Sequence, residues 1–212
     1  MKNHIIYTLI CLTALAGLSL AAPKPAVVQE PDDWTLEAEF QHLQQISVKL
    51  GDNNKPRRYW YLILTIANNT GWDVGFYPDS CLMTDTFQIT PAGQNVPSAV
   101  FQRIKQRHKT QYPFLESIEQ TDDKVLQGED NSKDVAIIFP DFDPEAKGVK
   151  IFVAGLSNET VMVEHPTARD EGGQPVQIFL RKTLQLNYSI GGDPAFRSNI
   201  RLTYEGQEWI MR

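Results

Sequence analysis

Four cations on one short stretch of the chain are the residues best suited to contact a partner. Residues 97–109 contain Arg103, Lys105, Arg107 and Lys109 and no acid, although the whole chain carries a formal net charge of −6. Segregated charge of this kind steers oppositely charged molecules toward a surface. We therefore expect this stretch to contact an anionic partner, either another protein or an anionic component of a cell envelope. A solvated helix face without a partner is the alternative.

Two aromatic residues close to a turn form a second candidate surface. Trp72 directly follows residues 68–71 (NNTG), which favour a turn because Asn and Gly tolerate a positive φ angle. Tyr77 lies a few positions later. Aromatic side chains in loops can contact sugars or proteins. We therefore count Trp72 and Tyr77 among the candidate binding residues, with burial of Trp72 in the core as the alternative.

Residue types used in catalysis and metal binding are present, but in unsuitable patterns. His42, His108 and His165 are not paired at the spacing by which one element holds a metal. Residues 141–145 (DFDPE) offer alternate carboxylates but lack the glycine and the distal glutamate of a calcium loop, so we predict a turn. Ser157 lacks the flanking glycines of a nucleophile elbow. These patterns predict no catalysis, no metal site and no cofactor.

The one cysteine beyond residue 22 and the three Asn-x-Ser/Thr triplets receive structural interpretations. Cys81 is expected to be a buried thiol on a strand, because cysteine packs as a small hydrophobe. An intermolecular disulfide is the alternative. The triplets begin at Asn68, Asn158 and Asn187, and we predict that these asparagines stabilise turns rather than carry glycans.

The beginning of the chain predicts export. A positive charge precedes an uncharged apolar run over residues 5–20, and Ser19 and Ala21 supply small residues at the −3 and −1 positions of a cleavage site. The run is shorter than the ~20 residues of a membrane span. We expect a signal peptide over residues 1–21, cleaved before a proline-rich spacer over residues 22–33. An uncleaved N-terminal anchor is the alternative.

The elements that must position the candidate residues are strands, and the clearest lies within residues 59–73 (YWYLILTIANNTGWD). Side chains alternate between the two faces of a strand. One face here carries Trp60, Leu62, Leu64 and Ile66, and the other carries Tyr59, Tyr61, Ile63 and Thr65. A strand that is apolar on both faces is covered on both. We therefore predict a central strand that ends at the turn.

Further strands follow the same alternation. We predict them over residues 34–40, 46–50, 72–77, 82–89, 134–139, 149–156, 159–164, 177–190, 200–204 and 209–211. The long strand over residues 177–190 is expected to have one apolar and one solvated face. A helix that begins at Asp32 or Asp33 is an alternative for residues 34–40.

One helix is predicted among these strands. Val100, Phe101 and Ile104 recur at helical spacing over residues 97–109, so that they can pack on a sheet while the cations face outward. Many short strands with turns between them favour an antiparallel β-sandwich. We predict one domain over residues 34–212.

Three of the predicted segments also carry a family resemblance. Residues 64–74 (LTIANNTGWDV), 134–139 (DVAIIF) and 149–153 (VKIFV), together with the stretch FDPEAKGVKIFVAGLSNET, resemble the immunoglobulin-like domains of uncharacterised secreted bacterial proteins. The resemblance implies a mainly β fold, an antiparallel immunoglobulin-like β-sandwich. The short helix over residues 97–109 is an insertion beyond what a minimal domain of that kind requires. The resemblance implies no activity.

These expectations combine into one functional hypothesis. The chain is expected to be an exported, non-catalytic binding or structural module of the bacterial periplasm or cell envelope that contacts another protein. A carbohydrate-active protein, either a sugar-binding domain or a hydrolase with an acidic cleft, is the alternative. Because nucleic-acid-binding domains are usually basic, no nucleic-acid partner is expected. No membrane span is expected after removal of the signal peptide.

Overall fold

The computed structural model describes residues 32–51, 55–192 and 200–212. The predicted signal peptide and most of the predicted spacer therefore lie outside the described residues. The described strands are β1 (Glu37–Val48), β2 (Arg57–Ala67), β3 (Val74–Gly75), β4 (Asp79–Thr84), β5 (Ile89–Pro91), β6 (Glu116–Ser117), β7 (Lys124–Val125), β8 (Lys133–Pro140), β9 (Gly148–Ala154), β10 (Thr160–Arg169), β11 (Pro175–Gly191) and β12 (Arg201–Met211). The described helix α1 spans Ser98–His108, and a short 3₁₀ helix spans Glu129–Asn131.

Two sheets share one hydrophobic core, and the described fold is mainly β as predicted. The first sheet has the order β1-β2-β8-β6, and the second has the order β10-β11-β9-β4-β5 with β12 also paired to β11. Pairing is antiparallel except between β6 and β8. Leu62 and Leu64 of the first sheet and Ile151 and Leu186 of the second belong to the same buried cluster. Burial of these side chains between the sheets is the main stabilising contribution to such a fold.

Strand β2 is covered on both faces, as its sequence predicts. Trp60, Leu62, Leu64 and Ile66 are buried in the core between the sheets. On the opposite face, Tyr61 and Ile63 are buried beneath α1, together with Val100 and Ile104 of the helix. The helix therefore forms a third layer on the first sheet. Pro97 precedes it in an extended conformation and His108 ends it, within one residue of the predicted bounds.

Several predicted strand bounds are wrong because local irregularities were not visible in the alternation. Strand β1 is continuous where two strands were predicted. A register shift between Gln41 and Gln44 in its pairing with β2 accommodates the break in the alternation. The predicted strand over residues 82–89 is divided into β4 and β5 by a turn in which Phe87 has a φ angle of 65°. The short strands β6 and β7 lie between residues 109 and 134, where no strand was predicted.

The predicted solvated face of the long strand β11 is wrong for its second half. Thr183 and Gln185 are buried, at 3% and 4% exposure. This half of β11 lies between β9 and β12, and neighbouring side chains cover it. Gln185 Nε2 donates 2.7 Å hydrogen bonds to Asn187 Oδ1 and to Glu208 Oε1. The polar side chains are thus paired with one another instead of with solvent.

The first half of β11 leaves the sheet. Up to Leu180 it pairs only with β10 among the described strands. Thr160 lies opposite Arg181 and Glu164 opposite Gln177, and a turn at residues 170–174 joins the two strands. Arg181 also exchanges two backbone hydrogen bonds with Arg212. We call residues 160–181 the arm. Among the described strands, none pairs with the outer edge of either strand of the arm.

Candidate binding surfaces

The four cations of the helix segment lie on two opposite sides of α1. Residues four apart share a side of a helix, whereas residues two apart are turned by roughly 200°. Arg103 and Arg107 face β1, where Arg107 Nη1 lies 3.4 Å from the carbonyl oxygen of Gln45. Lys105 lies on the other side, with its Nζ 5.9 Å from the centre of the Phe101 ring. The predicted basic surface is therefore two smaller surfaces.

An open groove separates α1 from the end of β1. Its volume is about 730 Å³, and its lining includes Ser47, Lys49, Ser98, Gln102, Arg103 and Gln106. None of the described residues that line it is acidic. Two cations from different elements and several amide and hydroxyl groups therefore face one concave surface, which suits an anionic group. We call this the helix groove.

Arg107 also takes part in a polar network beneath the end of α1. The hydroxyl group of Tyr61 donates to Gln44 Oε1 at 3.1 Å and accepts from Arg107 Nη1 at 3.3 Å. His108 Nε2 lies 2.9 Å from the same hydroxyl oxygen. Burial, and secondly the charge of Arg107, lower the pKa of His108 below its usual value of 6.5. Arg107 is therefore an anchor of the helix end as well as a surface cation.

Trp72 and Tyr77 are both exposed, at 52% and 67%. The alternative that Trp72 is a core residue is therefore wrong. The buried carboxamide of Asn68 holds this loop, because its Nδ2 donates to the carbonyl oxygens of Trp72 at 2.8 Å and Val125 at 2.9 Å. Its Oδ1 accepts from the backbone amide of Thr70 at 3.1 Å. Asn68 thus acts in a turn, as its sequence position predicts.

The exposed aromatic side chains do not assemble into one platform. Trp72, Tyr77, Phe87, Phe114, Phe179 and Trp209 are the large exposed aromatic residues of the described chain. Within the described residues, no ring of this set contacts another ring of the set. Trp72 and Tyr77 thus remain separate candidate contacts.

The arm carries apolar side chains on both faces. Met162 and Phe179 lie opposite each other on one face and are 54% and 66% exposed. Val161, Val163, Ile178 and Leu180 lie on the other face, and none of them belongs to a core cluster. Sequence analysis missed this surface. Its signal was Phe179, an aromatic residue on the face of β11 that was expected to be solvated.

A polar cluster fixes the arm where it leaves the sheet. Glu159 is 3% exposed and pairs with the ammonium group of Lys182 on the facing strand. Thr35 Oγ1 donates to Glu159 Oε1 at 3.0 Å. The hydroxyl group of Ser157 donates to the carbonyl oxygen of Trp34 at 2.7 Å. These bonds join the chain that precedes β1 to the base of the arm, and they give Ser157 a structural role.

Neither a family model, nor a curated protein, nor a solved structure matches this chain.

The acidic turn after β8 is structural. Asp141 Oδ1 accepts a 2.8 Å hydrogen bond from the buried indole of Trp60, and Asp143 Oδ1 accepts one of 2.9 Å from the amide of Glu145. No group of three or more His, Cys, Asp and Glu side chains that could hold a metal ion occurs among the described residues. In the same part of the chain, no helix has both the length and the apolar character needed to cross a bilayer.

The remaining candidates make local contacts. The ring of His42 lies 4.7 Å from that of Tyr204, and His165 Nδ1 accepts a 2.8 Å hydrogen bond from the amide of Ala168. Cys81 lies on a strand, as predicted, but it is only half-buried. Ser80 and Leu82 on either side of it are buried and point inward. By the alternation of a strand, Cys81 therefore points to the outer face of the second sheet. Arg212 Nη1 lies 3.1 Å from its Sγ atom.

Proposed function

We propose that this protein is an exported, non-catalytic module of the bacterial cell envelope that binds another protein through its arm. One observation carries the proposal: Met162 and Phe179 form an exposed apolar pair on a two-stranded ribbon that the rest of the described chain does not cover. Isolated two-stranded ribbons are at best marginally stable in water. Exposed apolar patches on soluble proteins commonly mark interaction sites.

Two further elements belong to this proposal. The export signal is supported by the order of charge, apolar run and small residues before residue 22. The assignment of the fold to the immunoglobulin-like β-sandwiches is supported by two mostly antiparallel sheets around one core. Recovery of the protein from its host with an N-terminus near residue 22 would support export. An intact Met1 on cytoplasmic protein would contradict it.

The helix groove is the proposed second contact, for an anionic part of the same partner. Arg103 and Lys49 belong to its lining, and none of the described lining residues is an acid. Charged surfaces at the rim of an interface mainly raise the rate of association. The arm is therefore proposed to supply most of the affinity, and the groove to guide the encounter.

The test is capture of partners from an envelope extract by the wild-type protein and by two variants. Phe179→Ser removes the larger member of the exposed pair, and Phe114→Ser removes an equally large ring, 82% exposed, outside the arm. We expect the wild type and Phe114→Ser to capture the same partner protein. Phe179→Ser should fail to capture it. Equal capture by all three proteins, with unchanged circular dichroism, would overturn the role of the arm.

A further inference from the structure

A pocket lies between the beginning of α1 and the outer edge of the first sheet, next to the end of β6. Its volume is about 290 Å³, close to the lower limit of roughly 300–1,000 Å³ for small-molecule sites. Its lining combines apolar side chains with a few polar ones, as ligand-binding pockets usually do. The apolar side chains include Val96, Phe101 and Ile138, and the polar ones are Ser98, Gln102, Ser117, Glu119 and Gln120. We call this the Glu119 pocket.

A single carboxylate decides the charge of the Glu119 pocket. Glu119 is the only charged residue among the described residues of the lining. It takes part in none of the ion pairs found within the described part of the chain. Lys105 approaches the Phe101 ring, with its Nζ 5.9 Å from the ring centre, but Lys105 does not line the pocket. The pocket therefore offers a negative charge without a partner cation, beside an aromatic ring.

Two neighbouring residues fix the position of this carboxylate. The buried Ser117 donates a hydrogen bond from its hydroxyl group to Glu119 Oε2. Gly93 has a φ angle of 71°, and a Cβ atom at this position would overlap the side chain of Glu119. The backbone amide of Gly93 in turn donates to the carbonyl oxygen of Ile138 at 2.9 Å. The carboxylate is thus placed by a strand residue and by a loop that is anchored to β8.

We propose that the Glu119 pocket binds a small organic cation, in which an ammonium group is attached to an apolar body about the size of one aromatic ring. The carboxylate would accept a charge-assisted hydrogen bond from the ammonium group, and such bonds are stronger than neutral ones. The apolar body would pack against Val96 and Phe101, which lowers its exposure to water. The pocket shares Ser98 and Gln102 with the helix groove but contains neither of its cations. The proposal goes beyond the proposed function, since it depends on neither the arm nor the groove.

Three probes of similar size but different charge test this preference. Benzylammonium, benzyl alcohol and benzoate are titrated into the whole protein at neutral pH, and shifts of the backbone amide signals in NMR spectra report binding. We expect benzylammonium to bind at least about threefold more tightly than benzyl alcohol, the modest gain of an ion pair that water can reach. The amides of Gly93, Phe101 and Gln120 should shift. Benzoate should bind most weakly, and it is included because α1 begins at the pocket and helix starts attract anions.

Two glutamate variants provide the matched comparison. Glu119→Gln preserves the size of the side chain and should remove the preference for benzylammonium over benzyl alcohol. Glu116→Gln makes the same change three positions earlier, at a carboxylate that pairs with Lys133 outside the pocket lining, and should preserve that preference. The amide spectrum of each variant also shows whether it is folded.

Four results would overturn the proposal. Benzylammonium could bind no more tightly than benzyl alcohol or benzoate, or the shifted amides could lie away from the pocket. Glu119→Gln could leave the preference for benzylammonium unchanged, or Glu116→Gln could reduce it equally. The titrations contain no partner protein, so the proposed function is tested separately.

Discussion

The indole Nε1 of Trp60 donates a 2.8 Å hydrogen bond to Oδ1 of Asp141, which joins the central strand β2 to the acidic turn after β8. Trp60 is 1% exposed, so its N–H group has little access to water. Asp141 also accepts from the amide of Phe142 at 3.2 Å, and the ring of Phe142 packs 5.1 Å from that of Trp60. The carboxylate therefore positions the turn against the core.

Replacement of this acceptor should destabilise the fold. Asp141→Ala leaves a buried indole donor unpaired, and we expect a loss of about 1–3 kcal/mol in the free energy of unfolding. Glu145→Ala, in the same turn but exposed, should change it by less than about 0.5 kcal/mol. Chemical denaturation of both variants provides the measurement. Equal denaturation midpoints for Asp141→Ala and Glu145→Ala would mean that the hydrogen bond between Trp60 and Asp141 contributes no net stability.

Asn68 should be equally sensitive, because its buried carboxamide satisfies the carbonyl oxygens of Trp72 and Val125. Asn68→Ala leaves buried acceptors without a donor, and we expect a loss of about 1–3 kcal/mol. Asn69→Ala, at the exposed next position, is the control and should have little effect. Thermal unfolding compares the two. A larger loss of stability with Asn69→Ala than with Asn68→Ala would contradict the role assigned to the Asn68 carboxamide.

Charge reversal on the two sides of α1 should separate the helix groove from the rest of the helix. Arg103→Glu changes a groove residue, whereas Lys105→Glu makes the same change on the opposite side. Both should leave stability nearly unchanged, since exposed charges contribute about 0–1 kcal/mol. Only Arg103→Glu should slow association with an anionic partner and reduce its salt dependence. Partner capture at low and moderate salt measures this, and equal effects of the two variants would exclude the groove as the specific contact.

The lowered pKa of His108 predicts a pH dependence of stability. Burial and the charge of Arg107 lower this pKa in the folded chain, whereas the unfolded chain keeps the usual value of 6.5. Between the two values the unfolded chain binds more protons, so stability rises with pH. The stability that His108 contributes is fully present above its usual pKa of 6.5. It is lost as the pH falls through the lower pKa of His108 in the folded chain.

The measurement is the free energy of unfolding between about pH 5 and pH 7.5, since a single titrating group acts over this range. The stability of the wild type should fall on acidification more than that of His108→Gln. The loss of stability of Arg107→Gln on acidification should lie between those of the wild type and His108→Gln. This variant removes the charge that lowers the pKa of His108 but leaves the imidazole buried. Identical slopes for the wild type and His108→Gln would show that this imidazole does not contribute.

The amino-acid sequence by itself determined the elements whose causes are local. The alternation of β2 is apolar on both faces, and the structure covers both. Helical spacing of Val100 and Ile104 predicted α1 within one residue at each end. The Asn68 turn followed from backbone preferences of single residues. In each case the signal and its physical cause lie within a few positions of each other.

Only the tertiary structure decided which faces are covered. The alternation of β11 continues unchanged from Phe179 to Gln185, yet Phe179 is 66% exposed and Gln185 is 4% exposed. The difference arises because β9 and β12 flank the second half of the strand and not the first. Tertiary packing likewise decided that the Arg103 and Arg107 side of α1 faces β1 and that the Cys81 face of β4 is the outer one. A periodic pattern shows which side chains share a face, whereas their exposure depends on strands that are distant in sequence.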